Sequence, residues 1–198
     1  MKWKIMSDPR FCEIFCRGRH CPYCSSTHRF KPNECAVPGL YSTWQSMQIF
    51  NLSLLIRLHI KTIINMQIPG EHPYCGDGIN KSGFSYDPEM FMEAGIFHYN
   101  FAWRDYEVGS IRNVLDAVKV MMFALEQGRV AVHCHAGLGR TGTLIVCLFI
   151  FRDNMTAKQA VRFVRARRPG SVQSTVQLAR IKQFAAFVQT LRGIFLER

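Results

Sequence analysis

Residues 133–142 read His133-Cys134-His135-Ala136-Gly137-Leu138-Gly139-Arg140-Thr141-Gly142. They stand between Arg129-Val130-Ala131-Val132-His133, a buried-strand pattern, and an apolar run from Thr143 to Phe151 that is too long for most strands and suits a buried helix. A glycine-containing strand-to-helix turn of this kind brings backbone amides and a helix N-terminus to bear on an anion, and phosphate is the natural guest. Gly137 and Gly139 let the loop curl its amides inward. Cys134 stands where a helix dipole and a nearby arginine favour a thiolate, the nucleophilic form of the side chain. Arg140 supplies a planar fork able to hold two phosphate oxygens, which lysine does less well. Thr141 offers a hydroxyl that can hydrogen-bond the sulfur and ease its departure from a phosphocysteine. Spacing by itself is weak evidence, because with eight cysteines about one Cys followed by Arg six positions later is expected by chance. Only Cys134 satisfies it, and the glycines around it supply the context.

Outward from this loop the chain alternates strand-like and helix-like stretches. Met47, Ile49, Phe50, Leu54, Leu55 and Leu58 suit a buried helix, and Lys61 to Met66 a buried strand. Pro69 to Asp87, with four glycines, reads as a surface loop. Asp87-Pro88 opens a short helix closed by Gly95. Phe97, Tyr99 and Phe101 alternate as a second strand that breaks near Arg104. Ser110 can cap a helix whose Ile111, Val114, Leu115, Val118, Met121, Met122 and Leu125 share one face up to Gly128. Thr156 and Gln159 form a capping-box pattern for a helix ending before Pro169-Gly170. Ile181, Phe184, Ala185, Val188 and Leu191 mark a last one. Strands separated by helices predict an α/β domain with a largely parallel central sheet.

The chain of 198 residues is long enough for one catalytic-sized domain with a short extension. We expect an irregular, cysteine-rich extension over 1–45, carrying Cys12, Cys16, Cys21, Cys24 and Cys35, and the domain over 46–198. Hydrophobic residues make up 48% and charged residues 20%, a globular balance that excludes disordered and low-complexity classes. The longest apolar run, Leu144 to Phe151, falls far short of the roughly 20 residues of a membrane span. Ser7, Asp8, Pro9 and Arg10 interrupt any secretory pattern, so a cytoplasmic protein with reduced thiols is expected. Lys and Arg number 25 against 14 acidic residues, for a formal charge of +11, which favours an anionic partner without naming it. Cys21 and Cys24 form a single C-x-x-C with His20 and His28 nearby. No second paired knuckle accompanies them, so unliganded thiols are the expectation.

The loop resembles the signature of the cysteine-based protein tyrosine phosphatases, HCxxGxxR followed by Ser or Thr, at every defining position. Trp103-Arg104-Asp105-Tyr106 and Arg168-Pro169-Gly170-Ser171-Val172-Gln173 look like the acid loop and the glutamine-bearing loop of the dual-specificity branch. The resemblance implies a phosphotyrosine protein phosphatase II-like fold, with the central sheet flanked by helices. It implies catalytic roles for Cys134 as nucleophile, Arg140 as phosphate ligand, Asp105 as acid and then base, and Thr141 at the sulfur. His135, Ala136, Gly137, Leu138, Gly139 and Arg140 would wrap the phosphate. Gln173 and Gln177 are both candidates to position the hydrolytic water. Glu107, Asp87 and Asp116 are read as solvated or capping carboxylates. No metal or cofactor is called for.

The expected reaction is hydrolysis of phosphotyrosine in proteins, with phosphoserine and phosphothreonine as further candidates. A phosphoinositide, and so an anionic lipid partner, stays open through the basic cluster Arg162, Arg165, Arg167 and Arg168. However, His135 and Leu138 stand where lipid phosphatases of this superfamily often carry lysines. Nucleic acid is disfavoured, since no basic-and-aromatic interleaving stands out. The sequence carries no signal for oligomeric state. Two departures from the resemblance, a short stretch between Trp44 and His59 and Ile68 in place of an arginine, support an alternative: a catalytically impaired phosphate-binding module.

Overall fold

The sheet is built from residues whose side chains alternate between two cores. In the computed structural model, which describes residues 40–43, 52–72 and 79–196, β1 (Leu40–Thr43), β2 (Ile60–Asn65), β3 (Phe97–Asn100) and β4 (Arg129–His133) form one parallel sheet in the order β1-β4-β2-β3. Val130 and Val132 of β4 join Ile64 and Met66 in the larger core, while Ala131 joins Ile60 and Ile63 in the smaller. The period of two expected of a strand thus serves both faces of the sheet.

The larger core is closed by α3 (Ile111–Gln127), α4 (Gly139–Asp153), α5 (Ala157–Arg167) and α6 (Thr175–Leu196). Every residue of α4 from Gly139 to Ile150 is buried, as an all-round apolar helix requires, and α3, α5 and α6 all pack against it. The smaller core is covered by α1 (Leu52–Arg57), α2 (Pro88–Glu93) and the Phe84–Tyr86 segment. Helix starts follow local chemistry. Asp87 accepts from the amide of Glu89 ahead of Pro88, Ser110 accepts from the amide of Asn113, and Thr156 and Gln159 complete a reciprocal capping box.

Two features differ from the sequence expectation. Leu40–Thr43, inside the stretch expected to be irregular, is a strand paired with β4 from Leu40 opposite Val130 to Thr43 opposite His133. Four residues with three adjacent hydroxyls, Tyr41, Ser42 and Thr43, carry no apolar alternation, so only the partner strand reveals it. The aromatic alternation of Phe97 and Tyr99 does mark β3, but this is the sheet's edge, and Phe97 is 57% exposed. Of the helix expected over the Met47–Leu58 stretch, the described part is α1, Leu52–Arg57. Residues 46–51 and the N-terminal cysteines lie outside the described residues. Among the described residues no helix is long and apolar enough to cross a membrane, and no group of side chains is arranged to hold a metal ion.

Candidate active site

Because all four strands run parallel, the segments leaving β2, β3 and β4 emerge at one edge of the sheet. Asn65 lies opposite both Asn100 and His133 in register, which brings residues 66–72, 101–110 and 134–138 together, where α/β sheets place ligands. The backbone ties them: Met66 donates to the carbonyl of His133 at 2.9 Å, Phe101 to that of Asn65 at 2.8 Å, and Trp103 to that of Met66 at 3.2 Å.

Residues 134–142 are buried throughout, with Cys134 only 2% exposed. Gly137 has φ +68°, a conformation glycine adopts without strain. Arg168 Nη2 donates to the carbonyl of Gly137 at 2.6 Å. The amides of Gly142 and Val172 donate to the carbonyl of Leu138 at 3.0 and 3.2 Å. In a trans peptide the carbonyl and the following N–H point oppositely. Holding these two carbonyls from behind therefore turns the amides of Leu138 and Gly139 to the other side of the loop.

Arg140 has no exposed surface. Glu71 grips it with two bonds, Nη1 to Oε2 at 2.8 Å and Nη2 to Oε1 at 2.7 Å. Nη1 also donates to the carbonyls of Trp103 at 3.0 Å and Met66 at 3.3 Å. Nη2 lies 3.3 Å from Asp105 Oδ1. Arg140 Nε is buried without a hydrogen-bond partner, as is Thr141 Oγ1. Burial alone would weaken the charge on Arg140, but the Glu71 bonds, with electrostatic attraction to the neighbouring Cys134 and Asp105, hold its pKa above the ordinary value.

Asp105 lies on the loop between β3 and α3, with Oδ2 3.3 Å from His72 Nε2. Burial would raise its pKa. The His72 hydrogen bond and the Arg140 charge outweigh burial and hold it below the usual carboxylate value. His72 in turn stacks on His135, ring centroids 3.8 Å apart. Ser174 Oγ donates to the carbonyl of Tyr106 at 2.7 Å, joining the Asp105 loop to the segment before α6. Glu107 and Asp116 are exposed, and Asp87 caps α2, so none of these three reaches the site.

Both glutamines reach the loop. A side chain at Gly139 would meet Gln177 Nε2 at 2.8 Å and Gln173 Oε1 at 2.9 Å. They differ in setting: Gln173 is exposed, whereas Gln177 is fully buried, accepts from the amide of Gln173 at 2.8 Å and leaves Nε2 without a partner. The segment is braced by Arg165, which donates to the carbonyls of Ser171 at 3.0 Å and Val172 at 2.8 Å. Arg165 and Arg168 of the basic cluster thus hold backbone. Arg167 lies over the Phe163 ring, 3.6 Å from its centroid.

Behind the loop, His133 Nε2 is hydrogen-bonded to Tyr86 Oη at 2.8 Å, and Tyr86 Oη to His98 Nε2 at 3.0 Å. Burial, with repulsion from His98 when that ring is protonated and from the Arg140 charge, pushes His133 down to about 3, and burial pushes His98 down to about 4. Both imidazoles are neutral at physiological pH. Sequence reading missed Glu71, His72, Tyr86 and His98 as parts of the site. The Pro69-Gly70-Glu71-His72 stretch was the available signal, and Ile68, in place of an arginine there, contributes its amide to Glu71 Oε2 at 3.1 Å.

The family model described as "Dual specificity phosphatase, catalytic domain" matches residues 45–187. The chain is 46% identical to protein tyrosine phosphatase domain-containing protein 1 of Danio rerio, covering 93% of this chain and 28% of that one. It is 49% identical to the Mus musculus protein of the same name, covering 93% and 26%. The chain therefore spans about a quarter of the length of these relatives. Among solved structures, Tk-PTP in its active form superposes with a TM-score of 0.65 at 18% identity, over 76% of this chain and 93% of that one. PTPMT1, solved in complex with PI(5)P, superposes with a TM-score of 0.59 at 18% identity, over 70% and 85%. These two likenesses concern the fold.

Proposed function

The chain belongs to the dual specificity phosphatase catalytic-domain family, and on that footing we propose that it hydrolyses phosphotyrosine, and phosphoserine or phosphothreonine, in cytoplasmic proteins through a phosphocysteine intermediate. The observation that carries this is the division of labour at Arg140. Glu71 occupies Nη1 and one side of Nη2, while Nε stays unpartnered on the edge it shares with Nη2. That edge is the bidentate face a phosphate needs.

In the first step the Cys134 sulfur attacks phosphorus, the bond to the leaving oxygen breaks, and Asp105 gives its proton to that oxygen. The inward amides of the loop and the Arg140 edge follow the equatorial oxygens, so the work is positioning and charge stabilisation. A phosphate dianion on Arg140 takes the place of Asp105 Oδ1, and its negative charge raises the carboxyl toward the protonated form the step requires. In the second step Asp105, now a carboxylate, takes a proton from water that attacks phosphorus, and Cys134 leaves with Thr141 Oγ1 beside it. Gln177 and Gln173 are the groups that orient this water.

Phosphoinositide is the second reading, favoured by the likeness in fold to PTPMT1, which was solved with PI(5)P. Commitment of Arg165 and Arg168 to backbone carbonyls leaves fewer cations for extra phosphates, so we place phosphoprotein first. The test is metal-free hydrolysis of a small aryl phosphate, followed by phosphopeptides and PI(5)P vesicles. Vanadate-sensitive turnover that Cys134→Ser abolishes, with phosphopeptides preferred, is expected. A folded protein with no more turnover than Cys134→Ser would instead make the chain a phosphate-binding module.

A further inference from the structure

Asp105 is held over the pocket by groups outside its own loop. Its neighbour Tyr106 has φ +60° and is 44% exposed, and Glu107 turns back to the Arg104 carbonyl, so the tip over 104–107 stands off the core that Trp103 and Val108 enter on either side. Among the described residues, the ties at this end that come from outside the loop are Ser174 to the Tyr106 carbonyl, Arg140 Nη2 to Asp105 Oδ1, and His72 Nε2 to Asp105 Oδ2. The Arg140 tie is the one a bound phosphate displaces, since both compete for Nη2. What then remains on the carboxyl is the adjacent Tyr106 amide, which donates to Oδ1 at 3.1 Å, and His72 on Oδ2, the one remaining tie from outside the loop among the described residues.

We propose that His72 is the positioning residue for the general acid: it holds Asp105 by Oδ2, aims Oδ1 at the leaving oxygen and, through its stack on His135, locks the acid loop to the phosphate loop. The inference rests on Asp105 serving as the acid. The stack, 3.8 Å between centroids at 11°, fixes the plane of the His72 ring against a residue of the phosphate loop that is itself buried. With φ +54°, His72 occupies a left-handed backbone position that a non-glycine residue keeps only where its surroundings enforce it. Consecutive residues thus serve the two charged groups of the reaction, Glu71 gripping Arg140 and His72 gripping Asp105.

The chemistry is balanced without a proton moving through His72. An imidazole with hydrogen on Nε2 donates to Oδ2 while Asp105 carries its proton on Oδ1. The Oδ1–H bond breaks as the leaving oxygen gains that hydrogen and the P–O bond opens. His72 keeps the same hydrogen bond to the resulting carboxylate, so Asp105 is already aimed for the water of the second step. Among the described residues, the charged groups facing His72 are Asp105 and, at 4.0 Å, Glu71. His135 lies on its face.

A positioning role for a general acid is read from leaving-group dependence. In the full chain, His72→Ala should lower kcat/KM about tenfold or more for phenyl phosphate, whose leaving oxygen needs the proton, and little for p-nitrophenyl phosphate, whose leaving group does not. His72→Gln, which keeps an N–H donor, should recover much of the loss. In an Asp105→Ala background His72→Ala should add nothing. Alkylation of Cys134 by iodoacetate at an unchanged rate would show the phosphate loop intact. Should His72→Ala fail to fold, His72→Leu against His72→Gln carries the same comparison. Equal losses on both substrates, an undiminished loss in Asp105→Ala, or no loss at all would overturn the role of His72. Wild type no better than Cys134→Ser would overturn the phosphatase reading beneath it.

Discussion

Arg140 is a fully buried cation, and its neighbours decide what it costs and what it can do. Glu71→Gln removes the charge that compensates it, and breaking a buried pair costs about 3 kcal/mol or more. The low end applies here because Asp105 and the carbonyls of Trp103 and Met66 remain. Urea unfolding should show that loss, and KM for an aryl phosphate should change with it as the fork loses its orientation. Arg140→Lys keeps the charge but forfeits the two-pronged edge, so kcat should fall about a hundredfold or more in steady-state assays. Asp105, held below the ordinary carboxylate value by His72 and Arg140, contributes stability that is fully present above the unfolded value near pH 4 and is lost as pH falls through its lowered folded value. The difference in melting temperature between wild type and Asp105→Asn should therefore be largest near neutrality and close in acid.

At the scale of elements, the contact between α4 and the glutamine segment is made by an absence of side chain. A Cβ at Gly142 would fall 2.8 Å from Ser171 Cβ and 3.1 Å from the Val172 amide, which is backbone and yields poorly. Val172 itself has φ +61°, strained for a β-branched residue, and is held there by Arg165 on its carbonyl and Leu138 on its amide. Gly142→Ala should destabilise by about 1–2 kcal/mol after its gain in helix propensity, by overpacking. It should also lower kcat by moving Gln173 and Gln177 off the loop. The elements readable from sequence are those whose signals are local. Asp87-Pro88, Ser110 and Thr156 with Gln159 announce their helices within four residues, and the strand, turn and helix around Cys134 are contiguous. β1 was unreadable because its partner lies some ninety positions away and its own residues do not alternate. Glu71 and Arg140, 69 positions apart, and Tyr86 and His133, 47 apart, meet only once the parallel sheet is assembled.

For the whole molecule, one parallel sheet with helices on both faces gathers three loops at one edge and buries what lies behind them. His133, fully buried and pushed down to about 3, remains neutral in the folded chain while the unfolded chain binds a proton below about pH 6.5. Folding stability should therefore fall on its account by roughly 1.4 kcal/mol for each unit by which the pH is lowered between about 6.5 and 3. Equilibrium unfolding of wild type against His133→Asn across this range should show the variant with a shallower slope. The architecture serves one chemical claim, that Cys134 carries the phosphoryl group between substrate and water. Single-turnover hydrolysis of a labelled aryl phosphate, stopped by denaturation and mapped by peptide, tests it most directly. The label should appear on the peptide containing Cys134 and be missing from Cys134→Ser. Turnover quenched while substrate is still being consumed that leaves no label on that cysteine, or leaves it on another residue, would contradict the account.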